Sequence, residues 1–313
     1  MKRSFIIAVV LVLLVAGPVL IRQVAEPTGR SVTGVSLRDT HYIEIDFHNA
    51  EQDLELAGML FVPPGTGPFP AVVMIHGSGT SVRDNAWYLT LAHDLQQHGV
   101  VVLLPDKRGS EKSQGDWRSA SLDDLATDTL AAVQYLKTQG AAPVGKIGVI
   151  GMSQGGWIAP LVANRSSDVA FIVSFSGAAV TPVEQLRYEE DHNLRQLGFL
   201  PGVSHVIALM STTWIRKIAQ TEFWDAIGDF DPLPYWGQLR VDAFVLLGAE
   251  DTNVPAEESR ARLQSLDNRQ IRIKIYEDSG HALASPAGIG NSIIREDARE
   301  DIRRFIASSV AGT

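Results

Sequence analysis

The residues best placed to do chemistry lie in one pentapeptide, Gly151-Met152-Ser153-Gln154-Gly155. A short apolar run, Ile147 to Ile150, leads into it, and a helix-like stretch, Trp157 to Ala163, leads out. A serine on so tight a strand-to-helix turn sits at the tip with its hydroxyl exposed and its backbone strained. Glycines on both flanks let strand and helix pass without Cβ clashes. Such a hydroxyl becomes a nucleophile when a neighbouring base takes its proton. The helix behind it aims backbone N–H groups at the carbon under attack, where negative charge develops. A Gly-rich turn without chemistry would spell the same five letters, but the flanking strand and helix weigh against it.

Three other loops carry candidate partners, and each follows an apolar run. His76-Gly77-Ser78-Gly79 closes Ala71 to Ile75, Gly248-Ala249-Glu250-Asp251 closes Val241 to Leu247, and Asp278-Ser279-Gly280-His281 follows Ile271 to Tyr276. Short continuous apolar runs read as strands buried on both faces. Further strands are predicted at His41 to Phe47, where Ile43, Ile45 and Phe47 share one face, and at Leu54 to Val62, Val100 to Leu104 and Ala170 to Ser174. Helices fall between them. One is capped by Asp84 or Asn85, carries Trp87, Leu91 and Leu95 at i, i+4, i+8, and closes at Gly99. Another opens on a Ser121–Asp124 capping pattern, turns Leu122, Leu125, Leu130, Val133 and Leu136 inward, and ends at Gly140. Pro255 to Leu266 makes a third, and a last helix puts Ile294, Ala298, Ile302 and Phe305 on one face. Alternating strands and helices imply a mostly parallel sheet covered on both sides. Ligands of such sheets bind at the strands' carboxyl ends, where Ser78, Ser153, Asp251 and His281 all fall.

Between Thr181 and Arg240 the alternation lapses into some sixty residues of helix-like, aromatic-rich sequence, with Tyr188, Trp214, Phe223, Trp224, Phe230, Tyr235 and Trp236. That is too long for an ordinary loop. Its aromatics either line a pocket or pack its own core.

Composition narrows the classes. In 313 residues, 45% are apolar and 20% charged, as in a globular protein. The net charge of −9 and the absence of a basic run argue against nucleic acid as a partner. With no cysteine there is no disulfide, thiolate nucleophile or zinc–thiolate site. No His or carboxylate spacing suggests a metal, and no cofactor is expected. At the start, Lys2 and Arg3 precede the uncharged run Phe5 to Ile21, which would span about 26 Å as a helix. Residues 1–22 are therefore expected to be an uncleaved membrane anchor, or a cleaved export signal, followed by a polar linker over 23–40. Lys2 and Arg3 would stay cytoplasmic and the rest would face outward.

Over residues 41–310 the chain resembles the α/β-hydrolase superfamily, and within it bacterial serine esterases of the dienelactone-hydrolase-like kind. The matching stretches are Pro70 to Gly79, Asp106-Lys107-Arg108-Gly109, Gly151 to Gly156, and Gly248 to Pro255. The resemblance implies an eight-stranded, mostly parallel sheet with a helical cap at about 181–240. It implies a triad in the order Ser153, Asp251, His281, as nucleophile, orienting acid and general base. It also implies an oxyanion hole from the backbone N–H groups of Ser78 and Gln154. Glu250 is a rival to Asp251 for the acid. His76 is expected to be structural, and Asp106 with Arg108 to brace their loop as a charge pair.

These readings converge on an exported or membrane-anchored serine esterase acting on a small-molecule ester. A peptidase similar to the prolyl aminopeptidase or oligopeptidase branches is the alternative, with Glu184, Glu189, Glu190 and Asp191 offered to a substrate amine. A thioesterase uses the same acyl chemistry. A non-catalytic surface protein on the same scaffold is the third possibility.

Overall fold

The computed structural model describes residues 31–138 and 142–311. The expected anchor or signal lies outside the described residues, as do the first part of the linker and Gly140. Among the described residues, no helix is long and apolar enough to cross a membrane.

The apolar runs form the sheet: β1 (Ile43–Asn49), β2 (Leu54–Phe61), β3 (Phe69–Ile75), β4 (Val101–Pro105), β5 (Val144–Met152), β6 (Val169–Phe175), β7 (Asp242–Gly248) and β8 (Ile271–Tyr276). Their order is β1-β2-β4-β3-β5-β6-β7-β8. β2 runs antiparallel to both neighbours, and every other pairing is parallel. In β1, which alternates in sequence, Ile45 and Phe47 turn inward while Ile43 stays exposed at the strand's start. The central strands are buried on both faces: Val72, Val73, Val149 and Val173 are fully covered.

Helices α1 (Ala86–Gln97) and α9 (Glu296–Ala311) cover one face, with Leu89, Leu91, Leu95, Ile302 and Phe305 packed against it. The other face receives α2 (Leu122–Thr138), α3 (Gly155–Arg165) and α8 (Ala256–Ser265) through Leu125, Val133, Ile158, Leu161 and Leu263. Two caps follow their sequence signals. The Asn85 side chain accepts from the Trp87 N–H, and Ser121 and Asp124 exchange hydrogen bonds across the first turn of α2. Ile294 differs from expectation: it is buried but precedes α9, filling the core from the incoming loop.

Between β6 and β7 stand α4 (Pro182–Gln196), α5 (Pro201–Trp214), a π-helical turn at Ile215–Ala219, α6 (Thr221–Ile227) and α7 (Leu233–Gly237). Trp224, Trp236, Ile215 and Ile227 join the main core, and Trp214, Phe223, Phe230 and Tyr235 pack against it. Only Leu194, Ile207 and Ala208, with Phe199, make a separate small cluster. Most of these aromatics therefore serve packing on the sheet layer.

The chain reverses its progress across the sheet at β3. It steps to β4 on one side and later to β5 on the other. That switch point opens a crevice at the carboxyl ends of β3 and β5. The pairing of Ile75 with Gly151 sets the loops after these two strands side by side.

Candidate active site

Ser153 sits where β5 turns into α3, with φ of +53°, a left-handed conformation that a non-glycine residue rarely adopts. The turn holds because its neighbours lack side chains. A Cβ on Gly151 would lie 2.1 Å from the Gly155 carbonyl oxygen, and one on Gly155 would lie 2.5 Å from that of Ile75. The Ser153 N–H donates to the Phe175 carbonyl at the end of β6, 2.9 Å away, which fixes the turn to the sheet.

The Ser153 hydroxyl lies 3.0 Å from His281 Nε2, and His281 Nδ1 lies 2.8 Å from Asp251 Oδ2. A carboxylate only accepts, so Nδ1 carries the imidazole proton and Nε2 is left to receive the serine's. The loops after β5, β7 and β8 thus bring Ser153, Asp251 and His281 into one hydrogen-bonded line. Asp251 is almost wholly buried, and its second oxygen accepts from the backbone N–H groups of Asn253 (2.8 Å) and Val254 (2.9 Å). Glu250, the rival acid, points into solvent.

The loop after β3 lies against the serine. A Cβ on Gly77 would come within 3.1 Å of Ser153 Cβ, so the residue before Ser78 packs directly on the nucleophile, and Gln154 follows Ser153 in the chain. Ser78 is exposed and Gln154 is buried at the start of α3.

Four residues around this centre escape sequence reasoning in their actual roles. Trp87 reads as one position of an apolar helix stripe. In the structure its Nε1–H donates to the Ala282 carbonyl at 3.1 Å, and its ring lies 5.6 Å from that of His281, steadying the histidine loop. Tyr88 accepts the Gly77 N–H at 2.8 Å, and burial pushes its phenol up to about 12. Lys107 donates to the Gly77 carbonyl and to Gln154 Oε1, both at 2.8 Å, and burial pulls its amine down to about 7. Arg83 pairs with Asp106 through Nε and Nη2, at 2.9 and 2.8 Å. No sequence signal marks these roles, although Lys107 lies in a stretch that carries the resemblance, because the partners stand 11 to 195 residues away.

The expected Asp106–Arg108 pair is corrected. Asp106 binds Arg83, whereas Arg108 turns away to Asp128 on α2, with Nε 2.6 Å from Oδ2. Asp106 follows β4 directly while Arg108 lies in the turn that comes after it, so the two side chains leave the loop in different directions and each finds its own partner. His76 matches its structural role. It is buried, its Nε2–H donates to the Pro105 carbonyl at 2.7 Å, and desolvation lowers its pKa to about 4, so it is neutral. The acidic residues considered for a substrate amine are engaged elsewhere. Glu184 caps α4 and binds Arg262, Asp191 accepts from Ser204, and Glu189 and Glu190 also have partners.

Comparison with known proteins agrees with this architecture. A model of the prolyl oligopeptidase family matches residues 90–308. Esterase EstD of Thermotoga maritima is 26% identical over 247 residues, covering 74% of this chain and 59% of EstD. Mouse acyl-coenzyme A thioesterase 5 is 24% identical, covering 83% of this chain and 60% of its own length. The chain thus spans about three fifths of these two curated relatives. The α/β hydrolase GrgF from Penicillium superposes with a TM-score of 0.64 at 18% identity, covering 87% of this chain and 99% of GrgF. That likeness, with the strand order above, is the α/β-hydrolase fold expected from the sequence.

Proposed function

We infer the reaction from one premise: the chain belongs to the prolyl oligopeptidase family. On that basis we propose that it hydrolyses carboxylic esters through an acyl-enzyme on Ser153. The observation that carries the proposal is the unbroken line Ser153–His281–Asp251, with contacts of 3.0 and 2.8 Å.

In the proposed cycle the Ser153 hydroxyl gives its proton to His281 Nε2 as its oxygen attacks the ester carbonyl. The Ser78 and Gln154 N–H groups receive the oxyanion. Asp251 stabilises the imidazolium, which then protonates the departing alcohol. Water repeats the sequence to free the acid and restore the serine. General base catalysis contributes roughly 10²–10⁴-fold, and each oxyanion donor about 2.7–4 kcal/mol.

An ester is favoured over a substrate with a free amine by esterase EstD among the relatives and by the Glu184 and Asp191 carboxylates of α4 being held by Arg262 and Ser204. A thioester is the second reading, supported by the mouse thioesterase relative. The sequence reading also supports a location outside the cytoplasmic membrane, tethered by Phe5 to Ile21. Protease accessibility on intact cells checks that part.

Hydrolysis of p-nitrophenyl butyrate by the full-length protein, beside Ser153→Ala, tests the mechanism. Turnover is expected to fall by roughly 10⁴-fold or more in the variant. Unchanged turnover would remove Ser153 from the reaction.

A further inference from the structure

A lysine only 7% exposed is an unusual component of a sheet-end loop, and Lys107 is not used by the cycle above. Its environment offers no compensating charge. Among the described residues no carboxylate is paired with it, and its nitrogen is met by two neutral oxygens and by the Trp117 ring, 5.4 Å from the centroid. A methylene-rich side chain alone would fill this space without desolvating an ammonium. What the ammonium adds is direction, and both of its acceptors belong to residues that flank Ser153.

We infer that Lys107 is a positioning residue that aims and strengthens the two oxyanion donors, an assignment that rests on the roles of Ser78 and Gln154 proposed above. The Gly77 carbonyl held by Lys107 is the far end of the same peptide unit that carries the Ser78 N–H. In a planar trans peptide these two groups point in opposite directions, so fixing the oxygen aims the hydrogen. On its other side Gly77 is held too, because its N–H donates to the Tyr88 hydroxyl. A glycine is otherwise the residue freest to rotate. The second bond fixes the Gln154 side chain, tying the first residue behind the nucleophile to the same nitrogen. One ammonium therefore links two loops, after β3 and after β5, that present the proposed donors. A donor at the carbonyl oxygen also polarises the peptide, most strongly when the amine is protonated, making the opposite N–H a stronger donor as negative charge develops on the substrate. Lys107 does not touch the reacting atoms in this scheme. It acts through Gly77 and Gln154.

The test uses the full-length protein, p-nitrophenyl butyrate as substrate and a butyl trifluoromethyl ketone, whose serine adduct carries an oxyanion. In Lys107→Met, kcat is expected to fall about ten- to a hundredfold, less than deletion of a donor outright, while KM changes by less than about threefold. Affinity for the ketone should fall in parallel with kcat/KM, because both report the same oxyanion. Lys107→Gln keeps a donor without the charge and is expected to recover part of the lost kcat. It also carries the test if Lys107→Met does not fold. A wild-type kcat in a folded variant, or a loss confined to KM with ketone affinity unchanged, overturns the role. That outcome, beside an active wild type and an inactive Ser153→Ala, would leave the ester reading standing. An inactive wild type would overturn both.

Discussion

The loops at the sheet's carboxyl edge and the helices between β6 and β7 are held by different kinds of contact. At the sheet edge the key groups are buried and multiply bonded. Asp251 receives two backbone N–H groups besides His281, Lys107 spans two loops, and Arg83 grips Asp106 through two nitrogens. The helical insertion is tied down at both ends, and its closing part is held by Trp224 and Trp236 in the main core and by Asn164 and Asn268, which donate to the Tyr235 and Trp236 carbonyls. At its start α4 is capped by Thr181 and Glu184, Glu184 meets Arg262, and Tyr188 donates to the Asp251 carbonyl at 2.8 Å. Between those ends, seven of the eleven exposed large apolar side chains of the described residues occur, from Leu197 to Ile218. The geometry of the reacting line is thus built by the sheet, and the insertion leans on it from one side. Electrostatic preorganisation demands the first kind of support, since donors that must reorient at the moment of reaction stabilise it less.

The sharpest way to break this contrast is Asp251→Asn. The amide would keep the shape of the site, but it can donate to Nδ1 and so favour the tautomer that leaves Nε2 protonated and unable to accept the serine's proton. A fall in kcat on the order of 10³–10⁴-fold is expected, with KM little changed, in a variant whose melting shows it to be folded. If Glu250 took over, activity would survive, and the claim that burial selects the acid would fail.

A second prediction concerns stability in acid. His76 lies under the sheet-edge loops, with its pKa lowered by burial from 6.5 to about 4. Between these values the unfolded chain binds the proton and the folded chain does not. Its contribution is therefore complete above about pH 6.5 and is lost as pH falls from 6.5 to 4, a change of roughly 3 kcal/mol at most. In urea titrations the stability difference between pH 7 and pH 4.5 should shrink in His76→Gln by a comparable amount. An undiminished pH dependence would mean that the histidine is wetter than its burial implies.

Much of this was legible beforehand, for identifiable reasons. Strands such as Ala71 to Ile75 and Val241 to Leu247 announce themselves because burial on both faces forces continuous apolar sequence. Ser153 was legible because strain at its φ requires glycines in fixed positions beside it, a local constraint. Asp251 and His281 follow strand ends, so their approach to Ser153 could be expected from the order of elements. Lys107 and Trp87 were not legible in their roles. A lysine in a loop usually points to water, and a tryptophan on a helix stripe usually packs the core. Their real partners, Gly77 and Ala282, are 30 and 195 residues away. The Asp106–Arg108 expectation failed for a related reason: proximity in sequence made a pair plausible, but the chain turns at Arg108, and the stronger partners, Arg83 and Asp128, lie elsewhere in sequence. The aromatics between Thr181 and Arg240 left pocket and packing open, since composition cannot say which face a ring turns to. Burial of Trp224 and Trp236 in the main core decides it for those two.

Tyr188→Phe probes the weaker side of the contrast. It removes one hydrogen bond between α4 and the acid's loop while keeping the ring. A typical net loss is about 0.5–1.5 kcal/mol. The neighbouring Glu184–Arg262 pair is partly exposed, with side chains 39% and 26% accessible, and adds at most about 1 kcal/mol. Asp251 would retain its two backbone N–H donors and His281, all supplied by the sheet-edge loops. If those bonds alone set the acid's position, Tyr188→Phe should lower the melting temperature slightly and change KM more than kcat, with kcat kept within about threefold. A tenfold or greater fall in kcat would mean that the insertion helps hold the Ser153–His281–Asp251 line. The reacting centre would then be shared between the two regions rather than built by one and covered by the other.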